Sequence, residues 1–302
     1  MASTIETAFQ NSYHNEFEIQ YQQNGSRLRP FVTVRPQVVK ADFHDRIGKR
    51  GRPQQRTARF APTVLDPAVH TRIRITMEDF RDAIPFEDED KMRMNLNDPR
   101  FEYARIQAQA MGRELDYSII TAATGTTYTG ETGATAETYV QATYGIAVNA
   151  VAPGAAAVDS NLTLEKLIQT KSLLKRAEAI GDGEPVVFVC TQKQLDSLLR
   201  TTEVTNADYN SIKTLTTGMV NTFMGFTFIQ TELLSIDASN VRTCLAFPKS
   251  AIMVGEAMER SVSIDRRPDL NNTWQVLTKA TFGATRTWLD KVVAVLCDED
   301  VA

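Results

Sequence analysis

The feature that most constrains the fold is the run from Asp98 to Gly125, DPRFEYARIQAQAMGRELDYSIITAATG. It reads as one long, bounded helix. Asp98 is a strong N-cap, and Pro99 sits where a missing N–H costs nothing. Gly125 is placed to take the left-handed position that closes the helix. Phe101, Ala104, Ala108, Met111, Leu115, Ile119 and Ala122 follow one another at spacings of three and four, so they form one apolar stripe. Gln107 and Gln109 flank that stripe and are expected to tolerate lysine. At 1.5 Å per residue the helix is about 40 Å long. That is long for a compact domain, and many of its core-side residues are small. An extended basic excursion precedes it and an α/β segment follows. A rod with a projecting arm and a compact lobe suits packing against copies of itself.

The 302 residues suffice for a real core, in one elaborate domain or two modest ones. An apolar fraction of 42% and a charged fraction of 23% are those of an ordered chain. The net charge of −4 predicts no general affinity for nucleic acid or an anionic membrane. No apolar run is long enough to cross a bilayer. The opening MASTIETAFQNSYHNEF lacks the pattern of a secretory signal. Cys190, Cys244 and Cys297 each lie in or beside an apolar strand-like run. They read as buried free thiols in a reducing compartment.

Residues 1–28 are polar, with Phe9, Tyr13, Phe17 and Tyr21 at intervals of four, and read as an arm. From Phe31 the chain alternates through FVTVRPQVV, a basic tip RIGKRGRPQQRTAR, and a return through FAPTVL and HTRIRITM. Thr71 to Ile75 alternate strictly, as a half-exposed strand does. Pro36, Pro53, Pro62 and Pro67 fit a central sheet poorly, so these strands are expected at edges or as free ribbons. A long hairpin with little core of its own needs support, and a neighbouring subunit is the natural source. Residues 125–160 read as turns and short strands. Then come a helix over LTLEKLIQTKSLLKRAEAIG closed at Gly181, strand PVVFVC, and a helix TQKQLDSLLR capped by Thr191. FMGFTFIQT, VRTCLAFP and SAIMVG are further strands, and the tail holds two more. Helix, strand and helix in that order mark an α/β lobe.

The search for reaction chemistry finds little. His14, His44 and His70 have no second ligand at metal-binding spacing. No GxSxG, HExxH or GxxxxGK[ST] occurs, and no GxGxxG follows a strand. GDGEP at 181–185 lies between helix and strand, the wrong polarity for a phosphate loop. No catalytic residue, metal or cofactor is expected. Charge, however, is segregated. Arg46, Lys49, Arg50, Arg52, Arg56 and Arg59 lie on the tip, and Glu78, Asp79, Asp82, Glu87, Asp88, Glu89 and Asp90 lie on the segment before the long helix. The tip lacks the aromatics that stack on bases. Opposite patches on one chain can meet across a heterologous contact between copies, so these thirteen residues are candidate inter-subunit contacts.

The order of parts resembles the major capsid proteins of tailed bacteriophages, the Hong Kong 97-like fold. VVFVCTQKQLDSLLR looks like that family's strand followed directly by a capped helix. FMGFTFIQTELL looks like its glycine-led strand, and CLAFPKSAIMVG like the segment that carries the chain back out. The resemblance implies an α+β fold with an N-terminal arm (1–28) and an extended two-stranded loop (29–85). It further implies a peripheral domain (86–159) with spine helix 98–124, an axial α/β domain (160–250) and a return to the peripheral sheet (251–302). It implies self-assembly into hexamers and pentamers of an icosahedral shell around double-stranded DNA, which is contacted non-specifically. The implied partners are a separate scaffolding protein, since the arm is too short to contain one, a portal, and a cement or decoration protein, with no membrane. The implied location is the virion, after assembly in the host cytoplasm. Some members form a Lys–Asn isopeptide bond. Lys40 and Lys49, with Asn271 and Asn272, are the candidates, and nothing in their context singles them out. The alternatives are a nanocompartment shell of the same fold, a tail-tube or sheath protein, and an α/β enzyme.

Overall fold

The computed structural model describes residues 23–300 except 37–39, 54, 56–57, 60–61, 63–64, 88–99, 153, 155, 182 and 201–221, and leaves aside the side chains of 100 and 258–260. The arm up to residue 22, the expected cap Asp98–Pro99, and Arg56, Asp88, Glu89 and Asp90 lie outside the described residues.

In chain order the strands and helices begin with β1 (Thr33–Pro36), β2 (Ala41–Ile47), β3 (His70–Thr76), β4 (Glu78–Phe86) and α1 (Arg100–Thr124). There follow β5 (Thr127–Thr129), β6 (Thr135–Glu137), α2 (Gln141–Tyr144), α3 (Leu164–Arg176), β7 (Val186–Cys190) and α4 (Gln192–Arg200). The chain closes with β8 (Thr222–Phe223), β9 (Phe226–Gln230), β10 (Val241–Pro248), β11 (Ile252–Arg267), β12 (Thr273–Arg286) and β13 (Val293–Asp298). Three sheets result, with strand orders β1-β11-β12-β4, β13-β10-β7-β9-β8 and β2-β3-β5-β6.

The chain divides into two units. One comprises residues 1–26, 79–113 and 258–281, and the other 27–78, 114–257 and 282–302. In the smaller unit, the N-terminal part of α1 departs from its sequence reading. Gln107 is fully buried: its Nε2 donates to the Val276 carbonyl at 3.1 Å, and Thr278 Oγ1 donates to its Oε1 at 2.9 Å. Gln109 is buried too and donates to Asn24 Oδ1. These glutamines lie inside, so the expectation that they tolerate lysine is overturned: a buried amide has a partner to lose. Phe101, expected on the core stripe, is 75% exposed.

The larger unit contains the five-stranded sheet. All five residues of β7 are buried, as expected of a strand covered on both faces. β7 runs parallel to β9 and antiparallel to β10, which in turn pairs antiparallel with β13. The closing strand of the chain therefore belongs to this sheet, whereas β11 and β12 belong to the sheet with β1 and β4. Thr163 caps α3 by accepting from the Lys166 N–H at 3.4 Å. That helix ends earlier than expected. Glu178, at φ 52°, takes the left-handed position, and Ala179 N–H reaches back to the Leu174 carbonyl at 3.0 Å, so Gly181 is not the closing residue. Thr191 caps α4, with Gln194 Oε1 accepting from the Thr191 N–H at 3.0 Å. The three cysteines are free and buried, and burial pushes the Cys190 thiol up.

The second half of α1 also lies in the larger unit. Leu115, Ile119, Ile120 and Ala123 are buried. Asp116, fully buried between them, accepts from the backbone N–H groups of Arg27 at 2.9 Å and Leu28 at 3.1 Å. The helix does not close on a left-handed Gly125, which is absent from the positive-φ residues. Instead Arg286 donates to the carbonyls of Ala123 at 2.8 Å and Gly125 at 3.0 Å. A cation at the C-terminal end satisfies orphan carbonyls and matches the helix dipole.

The expected hairpin is present as β2 and β3, in register from Ala41↔Thr76 to Ile47↔His70. It is not a free ribbon. β3 also pairs with β5, making it an interior strand, and Ile73 and Ile75 are 0% and 1% exposed. Ile75 packs with Met77 and Met253 of the same chain. The support expected from a neighbour comes first from TYT at 127–129, a segment too short to announce itself as a strand. Strand β12 passes so close that a Cβ on Gly283 would collide with the Thr76 carbonyl, so only glycine fits there.

Candidate assembly interface

The basic tip grows from the end of β2. Arg46 opposes Thr71 across the hairpin and donates to its Oγ1 at 2.9 Å. Its guanidinium also donates to the Thr287 carbonyl, reaches both carboxylate oxygens of Glu137 at 3.2 Å, and lies 4.2 Å over the Trp288 ring. At 9% exposure Arg46 is a buried anchor inside its own chain. This corrects its expected place among the surface contacts: a guanidinium with four partners has none to spare for a neighbour. Beside it, Arg286 donates to the Glu137 carbonyl at 3.3 Å and lies 5.5 Å from the Tyr139 ring. Burial lowers the Arg286 pKa, and burial raises that of the Tyr139 hydroxyl to about 12.

Beyond the anchor, the tip cations differ. Lys49 donates to the Ala177 carbonyl at the end of α3 and stands 3.6 Å from the Glu178 carboxylate. Arg50 donates to the Asp66 carbonyl at 2.9 Å, tying the two limbs of the excursion together. Arg59 is exposed but engaged. Arg52 is exposed, and no bond to it is seen among the described residues. The acidic candidates lie on β4 and just after it. Glu78 and Asp79 are exposed, Asp82 is half-buried and Glu87 is exposed. Asp79 accepts from Thr281 Oγ1 at 2.7 Å.

Sequence reasoning missed one further feature. In the larger unit, Glu114, Tyr117, Ser118 and Thr121 occupy one face of α1 at helical spacing and line a cavity of about 320 Å³. Its opposite walls are Arg74 and Glu78 from the hairpin side and Phe282–Thr285 from β12. Arg74 stacks 4.8 Å over the Tyr128 ring, and its buried Nε has no hydrogen-bond partner among the described residues. Gly133, at φ 64°, makes room for it: a Cβ there would sit 2.9 Å from Arg74 Cδ and from the Phe43 ring. The polar spacing on the helix was visible in the sequence, but the facing walls come from segments far away in the chain.

Among the described residues no group of three or more His, Cys, Asp or Glu side chains is placed to hold a metal ion. Among them, too, no helix is long and apolar enough to cross a membrane. His44 and His70 lie on the β2–β3 hairpin, and burial lowers the pKa of His44.

A family model described as phage capsid protein matches residues 5–299. No curated protein matches the chain. Its fold is similar to that of the capsid of cyanophage Pam1, at a TM-score of 0.70 and 12% identity with 99% of each chain covered. The capsid of Ralstonia phage GP4 is similar at 0.69 and 10%, covering 99% of this chain and 97% of that one. The acid-stable capsid of Helicobacter pylori bacteriophage KHP30 is similar at 0.68 and 11%, covering 99% and 98%. At these identities the likeness is one of fold, and it runs from end to end in both partners. With the family match over nearly all of its length, the chain belongs to the phage capsid protein family.

Proposed function

We propose that this chain is the major shell subunit of a tailed-phage head, assembling into hexamers and pentamers around double-stranded DNA. The observation that carries this reading is the family match over residues 5–299. Its role is structural, without catalysis. Residues 1–28 serve as arm, 29–85 as extended loop, and 86–159 with β11 and β12 as peripheral domain; 160–250 serve as axial domain, which the closing strand β13 joins through its pairing with β10. A separate scaffolding protein, a portal and a cement protein complete the assembly, which forms in the host cytoplasm. The described surface supports multivalent self-association. Ile47, Leu65 and Val69, at or beyond the ends of β2 and β3, are 62%, 88% and 66% exposed and offer apolar side chains to a neighbour. Many modest contacts, each of about 0.5–2 kcal/mol on truncation, multiply through symmetry into a stable shell.

Negative-stain electron microscopy of the full chain, expressed with its scaffolding partner, tests the reading. Closed shells are expected, and nuclease-protected DNA in the packaged particle separates a phage head from a nanocompartment that holds protein. Cylinders, or a folded monomer at every concentration and with every partner, would overturn it.

A further inference from the structure

The cavity on the second half of α1 has the chemistry of a receptor for a guanidinium. Two carboxylates, Glu78 and Glu114, line it, and no hydrogen bond or ion pair to either is seen among the described residues. Tyr117 and Tyr128, 53% and 42% exposed, add two aromatic rings. Carboxylates and tyrosine faces are what an arginine seeks: a forked charge-assisted hydrogen bond and a stacking surface. Arg74, whose buried Nε has no hydrogen-bond partner among the described residues, lines the same cavity. Arg74 itself is a like charge in the cavity. It is already stacked on Tyr128, and two carboxylates against one guanidinium leave the lining net negative.

Among the described tip cations, which leave Arg56 aside, one group matches. Of the tip cations, Arg46, Lys49 and Arg50 are held within their own chain, and Arg59 is engaged. Arg52, in the sequence RGRP at 50–53, is exposed with no partner seen. It does not line the cavity of its own chain. We propose that Arg52 of one copy seats in the Glu78–Glu114 cavity of a second copy. The contact is heterologous, tip to cavity, so it propagates around a ring, as a capsomer requires. This inference rests on the shell reading and narrows the charge matching seen in the sequence. One tip residue and two receptor carboxylates replace two whole segments, and Glu114 is a member that the sequence did not nominate.

The test is assembly of the full chain, read by sedimentation velocity and electron microscopy. Circular dichroism and thermal melting of the unassembled subunit run alongside. Arg52→Glu, on an exposed loop, should leave melting unchanged and lower the assembled fraction about tenfold, as loss of a central arginine contact does. Glu78→Lys with Glu114→Lys should do the same. Combining the three should restore much of the assembly, because the charges are exchanged and the pair survives. Normal shells from Arg52→Glu, or no recovery in the combined variant, would overturn the docking and leave the shell reading standing. A wild-type chain that never forms shells would overturn the shell reading and the docking with it.

Discussion

Two sheets of the larger unit are held together by different physics. The five-stranded sheet is saturated with apolar side chains. Val187, Phe188 and Val189 are fully buried, and the Phe188 ring lies 5.9 Å from Phe226 and 5.3 Å from Phe228. The β2-β3-β5-β6 sheet has one such face, at Ile73 and Ile75. On the other, Phe43, Arg74 and Tyr128 sit side by side in register, with Phe43 and Tyr128 41% and 42% exposed. Its far end is pinned by Arg46. Burial is non-directional, so a run of β-branched and aromatic residues specifies the first sheet almost unaided. Arginine forks are directional, so the second depends on partners that arrive from Glu137, Thr287 and Trp288. A sheet of the second kind is the easier one to move or to hand to a neighbour.

The contrast can be broken at several points. Phe188→Ala should cost about 3–5 kcal/mol, the range for deleting a fully buried aromatic, measured by urea unfolding. A small effect would mean that the five-stranded sheet is not held by its core. Arg46→Lys keeps the charge but loses the fork, leaving Glu137 and the Thr287 carbonyl short of donors, and should cost about 2 kcal/mol. If it is silent, the hairpin sheet rests on its apolar face alone and the distinction fails.

A smaller, pH-limited effect belongs to the rim of the five-stranded sheet. Glu299, with 2% of its side chain exposed, accepts from Arg242 at 2.7 Å and pairs with Lys193 at 3.0 Å. Chiefly through the Arg242 bond, its carboxyl is pulled from 4.5 to about 2, against the effect of burial. A depressed carboxyl contributes stability that is fully present above its unfolded value and is lost as pH falls through its folded value. Wild-type unfolding free energy should therefore decline between pH 4.5 and about 2. Glu299→Gln should show a shallower decline there and lower stability at neutral pH, and parallel profiles would remove Glu299 from the account. Smallest is Lys49→Ala. Its pair with Glu178 is exposed on both sides, so subunit stability should change by no more than about 1 kcal/mol.

Much of this fold was legible, and the illegible parts share a cause. Met111, Leu115 and Ile119 of the α1 stripe, the alternation of β3 and the strand-to-capped-helix passage from PVVFVC into TQKQLDSLLR all follow from spacing within a few residues, whereas Phe101 of the same stripe is exposed and Ala104, Ala108 and Ala122 are only half-buried. Arg46 read as one more tip cation because the basic run around it looks uniform. Burial singles it out, and burial depends on Trp288, some 240 positions away. Gln107 read as the flank of an apolar stripe, but it turns inward to the Val276 carbonyl, and Asp116 likewise turns inward to the backbone N–H groups of Arg27 and Leu28. Gly125 looked like a helix stop, yet the stop is Arg286.

What the amino-acid order determined by itself was periodicity, capping and the segregation of charge, since each acts through neighbours along the chain. The tertiary structure decided which polar residues lie inside, which tip cations are tied down within the chain, and which helix face becomes the wall of a cavity. Those outcomes turn on hydrogen-bond partners and packing surfaces brought from remote parts of the chain, and a buried arginine or glutamine is stable only where such partners meet it.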